Sequence, residues 1–146
     1  MRTYFLFLLV LFPSALLGQN DNYRYKKFIN QHVKQGMSRT RCDAVMGDRR
    51  ITETNSNECK ETNTFIDAGT NEINRVCNRA GAPYQNSARL RVSNQPFPLV
   101  ICSRRRNKYY PHCQYRGSST TRYIVIECEN GFPVHFERDV YVVNNG

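Results

Sequence analysis

Six cysteines, at positions 42, 59, 77, 102, 113 and 128, constrain this chain more than any other feature. None falls in a C-x-x-C or Cys/His spacing, so a zinc site is not expected. All six lie downstream of a leader. Residues 1–18 read as a secretory signal peptide: Arg2 is the charged start, residues 4–12 are apolar, Pro13 and Ser14 break the run, and residues 15–18 offer a small-residue exit. That run is short for a membrane span. Gln19 would then be the first residue, able to cyclise. An even cysteine count behind such a leader reads as three disulfides. Spacing alone leaves the pairing open. Each bridge across a long loop restricts the unfolded chain by roughly 3–4 kcal/mol in the entropy model.

Residues 19–146 form one domain by length. Residues 22–35 predict a first helix, with Tyr25, Phe28, Ile29 and Val33 at three- and four-residue steps and Gly36 as its stop. His32 shares the apolar face, and position alone leaves it readable as a packed core histidine. Residues 38–46 predict a second helix capped by Ser38 and stopped by Gly47, and residues 69–77 a third. Residues 48–58 are turn-like and 78–87 a loop. Residues 62–66 read as a strand. Further strands are expected over 88–93, 99–102, 112–115, 123–129 and 134–142, with a hairpin turn at Glu129-Asn130-Gly131-Phe132. The fold class is therefore α+β: helices early, antiparallel sheet late.

Charge narrows the partners without choosing one. The chain has 21 Lys and Arg against 12 Asp and Glu; loss of the leader removes Arg2 alone and takes the net charge from +9 to +8. Such a domain attracts polyanions: RNA, DNA, heparan sulfate or an anionic membrane, including a bacterial envelope. The cluster Arg104-Arg105-Arg106 reads as a solvated loop between strands, or as a patch for one of these. Beside Cys59, the run Lys60-Glu61-Thr62-Asn63-Thr64-Phe65 places a lysine next to a half-cystine. A bridge there would hold the cation still. Thr64, whose backbone and hydroxyl each donate and accept, lies four residues on. A pinned cation with a versatile reader suggests a site for a phosphate carrying a base. Acid–base groups must then come from His32, His112 or His135. His112, ahead of Cys113, reads as structural or exposed.

Three segments line up with one known family. Lys27-Phe28-Ile29-Asn30-Gln31-His32, Cys59-Lys60-Glu61-Thr62-Asn63-Thr64-Phe65 and Cys128-Glu129-Asn130-Gly131-Phe132-Pro133-Val134-His135-Phe136 together resemble the pancreatic ribonuclease A family. The second segment matches the signature C-K-x-x-N-T-F. Three cysteine pairs, the amino-terminal Gln and the Glu-Asn-Gly turn are similar to angiogenins and to six-cysteine ribonucleases of non-mammalian vertebrates. The resemblance implies three helices and a bent antiparallel sheet around a cleft. It implies the pairings Cys42–Cys102, Cys59–Cys113 and Cys77–Cys128.

It also implies a chemistry. RNA carries its own nucleophile, the 2′-hydroxyl, so cleavage requires no metal, cofactor or enzyme nucleophile. It requires a base, an acid and positive charge on the phosphoryl oxygens. The resemblance assigns His32 as base, His135 as acid and Lys60 as stabiliser of transition-state charge. It places Gln31, Phe136, Lys27 and Asn63 at the substrate and Thr64 at a pyrimidine base. Glu137 stands where the family usually has an aspartate orienting the catalytic histidine, and its extra methylene is expected to misplace that contact. The implied activity is a secreted, monomeric, pyrimidine-preferring endoribonuclease acting through a 2′,3′-cyclic phosphate. Alternatives are a secreted angiogenic signalling protein acting through a cell-surface receptor, and a cationic antibacterial protein independent of catalysis.

Overall fold

The structure is a computed structural model and describes residues 23–143, so the leader expected over residues 1–18 lies outside the described residues. The expected α+β architecture is present. Helix α1 covers residues 23–32. It is shorter than its apolar pattern, because Val33 leaves the helix to form a parallel bridge with Ile66. Its inner face buries Phe28 and His32. Gly36, at φ +78°, follows in the left-handed conformation that glycine adopts without strain.

The second helix differs from its expectation. A 3-10 turn at Arg39–Arg41 precedes α2, Cys42–Asp48, which runs through Gly47. Ser38 makes no capping bond; its Oγ pairs with Thr40 Oγ1 at 3.1 Å. Cys42, Val45 and Met46, at helical spacing, are buried. Helix α3 is Thr70–Asn74 and continues as a 3-10 turn over Arg75–Cys77.

Six strands form one sheet: β1 Thr62–Ile66, β2 Gly81–Pro83, β3 Leu90–Ser93, β4 Phe97–Arg106, β5 Gln114–Glu129 and β6 Phe132–Val140. The order is β1-β4-β5-β3-β2, with β6 also on β5. The two strands expected over 112–115 and 123–129 are parts of one 16-residue β5. Its first half pairs with β4 and its second half lies between β3 and β6, so β5 is the shared spine of the bent sheet. The polar run Arg116-Gly117-Ser118-Ser119 hides this, because its pairing with β4 rather than its composition makes it strand. The same pairing corrects the basic cluster: Arg104, Arg105 and Arg106 end β4 and are no loop. Residues 78–87 contain the short β2. The Glu129–Phe132 turn is a tight hairpin, with Asn130 at φ 53° and Gly131 at φ 82°.

Alternation places successive residues of β1 and β4 in two different cores. Ile66 and Leu99 join Phe28, Ile73, Val76, Ile124 and Ile126. Phe65 and Val100 join Val45, Met46, Ile51 and Tyr115. The three disulfides are Cys42–Cys102, Cys59–Cys113 and Cys77–Cys128, the pairing that the resemblance implies. Among the described residues no helix is long and apolar enough to cross a membrane.

Candidate active site

One cavity of about 440 Å³ brings together residues far apart in sequence. Its walls are Tyr23, Arg24, Lys27, Phe28, Gln31 and His32 from α1, Thr54 and Lys60, and Val134 and His135 from β6. His32, Lys60 and His135 thus share one recess, together with Lys27 and Gln31. His112 is exposed in a turn outside it.

His32 is both a core residue and a cavity residue. It is 8% exposed, and Phe28 and Phe136 flank its ring with centroids at 5.4 and 5.3 Å. Its Nδ1 lies 2.8 Å from the Thr64 carbonyl oxygen. A carbonyl only accepts, so Nδ1 carries the proton and Nε2 keeps its lone pair. Burial pushes the pKa of His32 down to about 3; the Thr64 carbonyl opposes this, and Lys60 and His135 add to it. The ring is therefore neutral at physiological pH, in its proton-accepting form.

Lys60 is held from three directions. The disulfide Cys59–Cys113 and the bond from Cys59 N to Lys108 O, 2.6 Å, fix the residue before it. Tyr115 donates its hydroxyl to the Lys60 carbonyl at 2.7 Å. Burial pushes that phenol up to about 12, so it stays a donor. The ammonium donates to Asn63 Oδ1 at 2.9 Å. Burial lowers the pKa of Lys60 below the usual lysine value, Glu53 opposes the shift and Lys27 adds to it.

Asn63 departs from its expected place at the substrate. It is 2% exposed, and its Nδ2 donates to the Gln31 carbonyl at 2.8 Å while Oδ1 accepts from Lys60. With both ends of its amide engaged inside the protein, it stands behind the site and ties Lys60 to α1. Thr64 and Phe136 do not line the cavity but touch His32, which does. Thr64 is 8% exposed and Phe136 stacks on His32.

His135 is more than half exposed, and its Nε2 lies 3.2 Å from Glu137 Oε2. The longer acid thus reaches the imidazole, contrary to the expected misplacement. The reason is register. Opposite β5, Ile126 pairs with Phe136 but Val125 with Arg138, so Glu137 is an extra, bulged residue; Val134 is skipped likewise between Pro133 and His135. Such bulges redirect side chains. No sequence pattern announces them. Tyr115 and Thr54 also escaped the reading; proximity of Tyr115 to Cys113 was the available signal.

The comparisons fit this geometry. The family model for pancreatic ribonuclease matches residues 23–137. Ribonuclease-like 3 of Danio rerio is 41% identical over 120 residues, covering 82% of this chain and 80% of that protein. Angiogenin-3 of Mus musculus is 39% identical over 136 residues, covering 91% and 88%. The X-ray structure of zebrafish RNase5 superposes with a TM-score of 0.76 at 48% identity, covering 80% of this chain and 93% of that one. The chain belongs to the pancreatic ribonuclease family. Its activity is that of a pancreatic-type ribonuclease, a metal-independent hydrolase acting on RNA.

Proposed function

We propose that this protein is a secreted endoribonuclease that cleaves RNA 3′ to pyrimidines, with His32, Lys60 and His135 as catalytic residues. The observation that carries the reading is the single cavity lined by all three. In the first step His32 Nε2 takes the 2′-hydroxyl proton. The 2′-oxygen attacks phosphorus, the bond from phosphorus to the 5′-oxygen breaks, and His135 gives that oxygen a proton. The Nε2 of His135 faces Glu137, so Nδ1 is the nitrogen left to donate. Lys60 meets the extra negative charge on the phosphoryl oxygens, with Gln31, Lys27 and the Phe136 backbone around the phosphate. Water then opens the 2′,3′-cyclic product with the histidine roles exchanged. Thr64, whose carbonyl already orients His32, reads the pyrimidine through its amide and hydroxyl. The leader-like composition of residues 1–18 and the three disulfides support secretion.

The test is cleavage of defined dinucleotides with EDTA present, wild type against His135→Ala. A cyclic phosphate product from cytidylyl and uridylyl substrates, absent from purine ones and lost in the variant, is expected. Equal rates for the two proteins would overturn the assignment.

A second reading concerns the surface. Arg104, Arg105 and Arg106 are exposed at the end of β4, where Arg116 of β5 adjoins Ser103. This supports binding to polyanions such as heparan sulfate or a bacterial envelope, alongside catalysis. Killing or heparin retention that survives His32→Ala but falls when the three arginines are neutralised is expected; survival of both changes would refute it. The angiogenin relatives support a signalling role at a cell-surface receptor, tested by endothelial growth with the same His32→Ala protein.

A further inference from the structure

The last turn of α1 carries Gln31 and His32, and a helix leaves its final carbonyls without partners inside the helix. Here one guanidinium nitrogen reaches three carbonyls around that turn, of which Ile29 O also accepts from Val33 N at 3.1 Å. Arg49 Nη1 lies 2.6 Å from Val33 O, 2.9 Å from Asn30 O and 3.4 Å from Ile29 O. Asn30 Nδ2 returns a bond to the Arg49 carbonyl at 3.2 Å. The remaining carbonyl of the turn that has a known partner, Gln31 O, goes to Asn63 on the other side. The turn is therefore held between the end of α2 and the start of β1.

We propose that Arg49 is a positioning residue for His32, an inference that rests on His32 being the catalytic base. His32 occupies the last helical position, and its ring direction follows the backbone of that turn. A guanidinium is a flat, permanently charged fork, and a cation at a helix C-terminus also complements the dipole there. All three contacts come from Nη1, whose N–H groups are fixed in the plane of the guanidinium; an ammonium ends a flexible stem with freely rotating donors and does not hold the three carbonyls in that geometry. Arg49 is accordingly not a free surface charge, whereas its neighbour Arg50 is exposed. Two adjacent arginines thus do different things in the fold.

Steady-state kinetics on a pyrimidine dinucleotide, with Arg49→Gln, Arg49→Lys and the exposed control Arg41→Gln, test this below each variant's melting temperature. Arg49→Gln is expected to lower kcat about tenfold or more, because small misplacements of a catalytic group are costly. KM should stay within about twofold, the pattern for an interaction felt in the transition state. Arg49→Lys should recover only part of the loss, and Arg41→Gln should match wild type. In proton NMR the His32 ring resonances of Arg49→Gln should move while those of His135 stay. A folded Arg49→Gln with wild-type kcat, or a slowed one with unmoved His32 resonances, overturns the proposal. Should Arg49→Gln fail to fold, wild-type kcat in Arg49→Lys overturns it instead. Retained activity in His32→Ala would refute the base assignment itself, while a shifted His32 resonance in Arg49→Gln would still show that Arg49 places the ring.

Discussion

Asn63 accepts a hydrogen bond from the Lys60 ammonium at 2.9 Å while its own amide nitrogen holds the Gln31 carbonyl at 2.8 Å. One buried amide thus couples the cation of the site to the helix that carries His32. Asn63→Ala frees Lys60 and strands the Gln31 carbonyl. The expected result is a stability loss of about 1–3 kcal/mol, the cost of a buried polar group left unpaired. The rate should fall as well. Asn63→Asp keeps an acceptor for Lys60 but sets a carboxylate against the Gln31 carbonyl, so it should not rescue stability. Thermal unfolding and dinucleotide kinetics on the two variants check this; wild-type values in both would show that the bridge is idle.

The pH profile should separate the free enzyme from the complex. His32 is pushed below the ordinary histidine value by burial and by Lys60 and His135. The acid limb of kcat/KM, which reports the free enzyme, should therefore lie below about 6.5. A bound phosphodiester brings negative charge beside the ring and favours its protonated form. The acid limb of kcat should accordingly lie higher than that of kcat/KM. Coincident limbs would contradict the environment described for His32.

The same burial sets a stability prediction. An unfolded histidine titrates near about 6.5, and folded His32 near about 3. Between those values the unfolded chain binds the additional proton, so stability rises with pH across the window. The contribution is complete above the unfolded value and is lost as pH falls towards the folded one. Urea unfolding between those limits should show this slope, and His32→Asn should flatten it. An unchanged slope in the variant would mean that other groups cause it.

Glu137→Gln tests the bulged contact with His135. Both side chains are substantially exposed, so the pair contributes about 1 kcal/mol or less. Stability should hardly move, and kcat should fall by less than about tenfold. A far larger loss would mean that Glu137 does more than orient the imidazole.

Replacing Cys59 and Cys113 together by alanine should remove about 2–5 kcal/mol of stability, as for a native bridge in a small secreted domain. The Cys77–Cys128 pair closes a loop of similar length and should cost about the same in that model. Activity should distinguish them: at a temperature where both variants remain folded, loss of the bridge beside Lys60 should reduce kcat more. Equal kcat would argue that Tyr115 and Asn63 hold Lys60 without it.

Much of this protein was legible in its residues. Position alone left His32 readable as a packed core residue; it was the resemblance of three segments to a known family that singled out His32, Lys60 and His135, which line one cavity. Helical and strand periods are local properties, so α1, β1 and β6 were readable to within a few residues. The chemistry expected of them came with that resemblance, and two imidazoles and an ammonium are side-chain types compatible with it. Other features depend on partners distant in the chain. The polar middle of β5 is strand because β4 pairs with it. Glu137 meets His135 because the β5–β6 register slips. Asn63 is an internal tie because Gln31 lies opposite its amide. Arg49 is a helix cap because α2 ends beside α1. Hydrogen-bond partners and ladder register are set by packing between elements, and no local pattern encodes them; the sequence determined which groups were available, and the tertiary structure decided what each one holds.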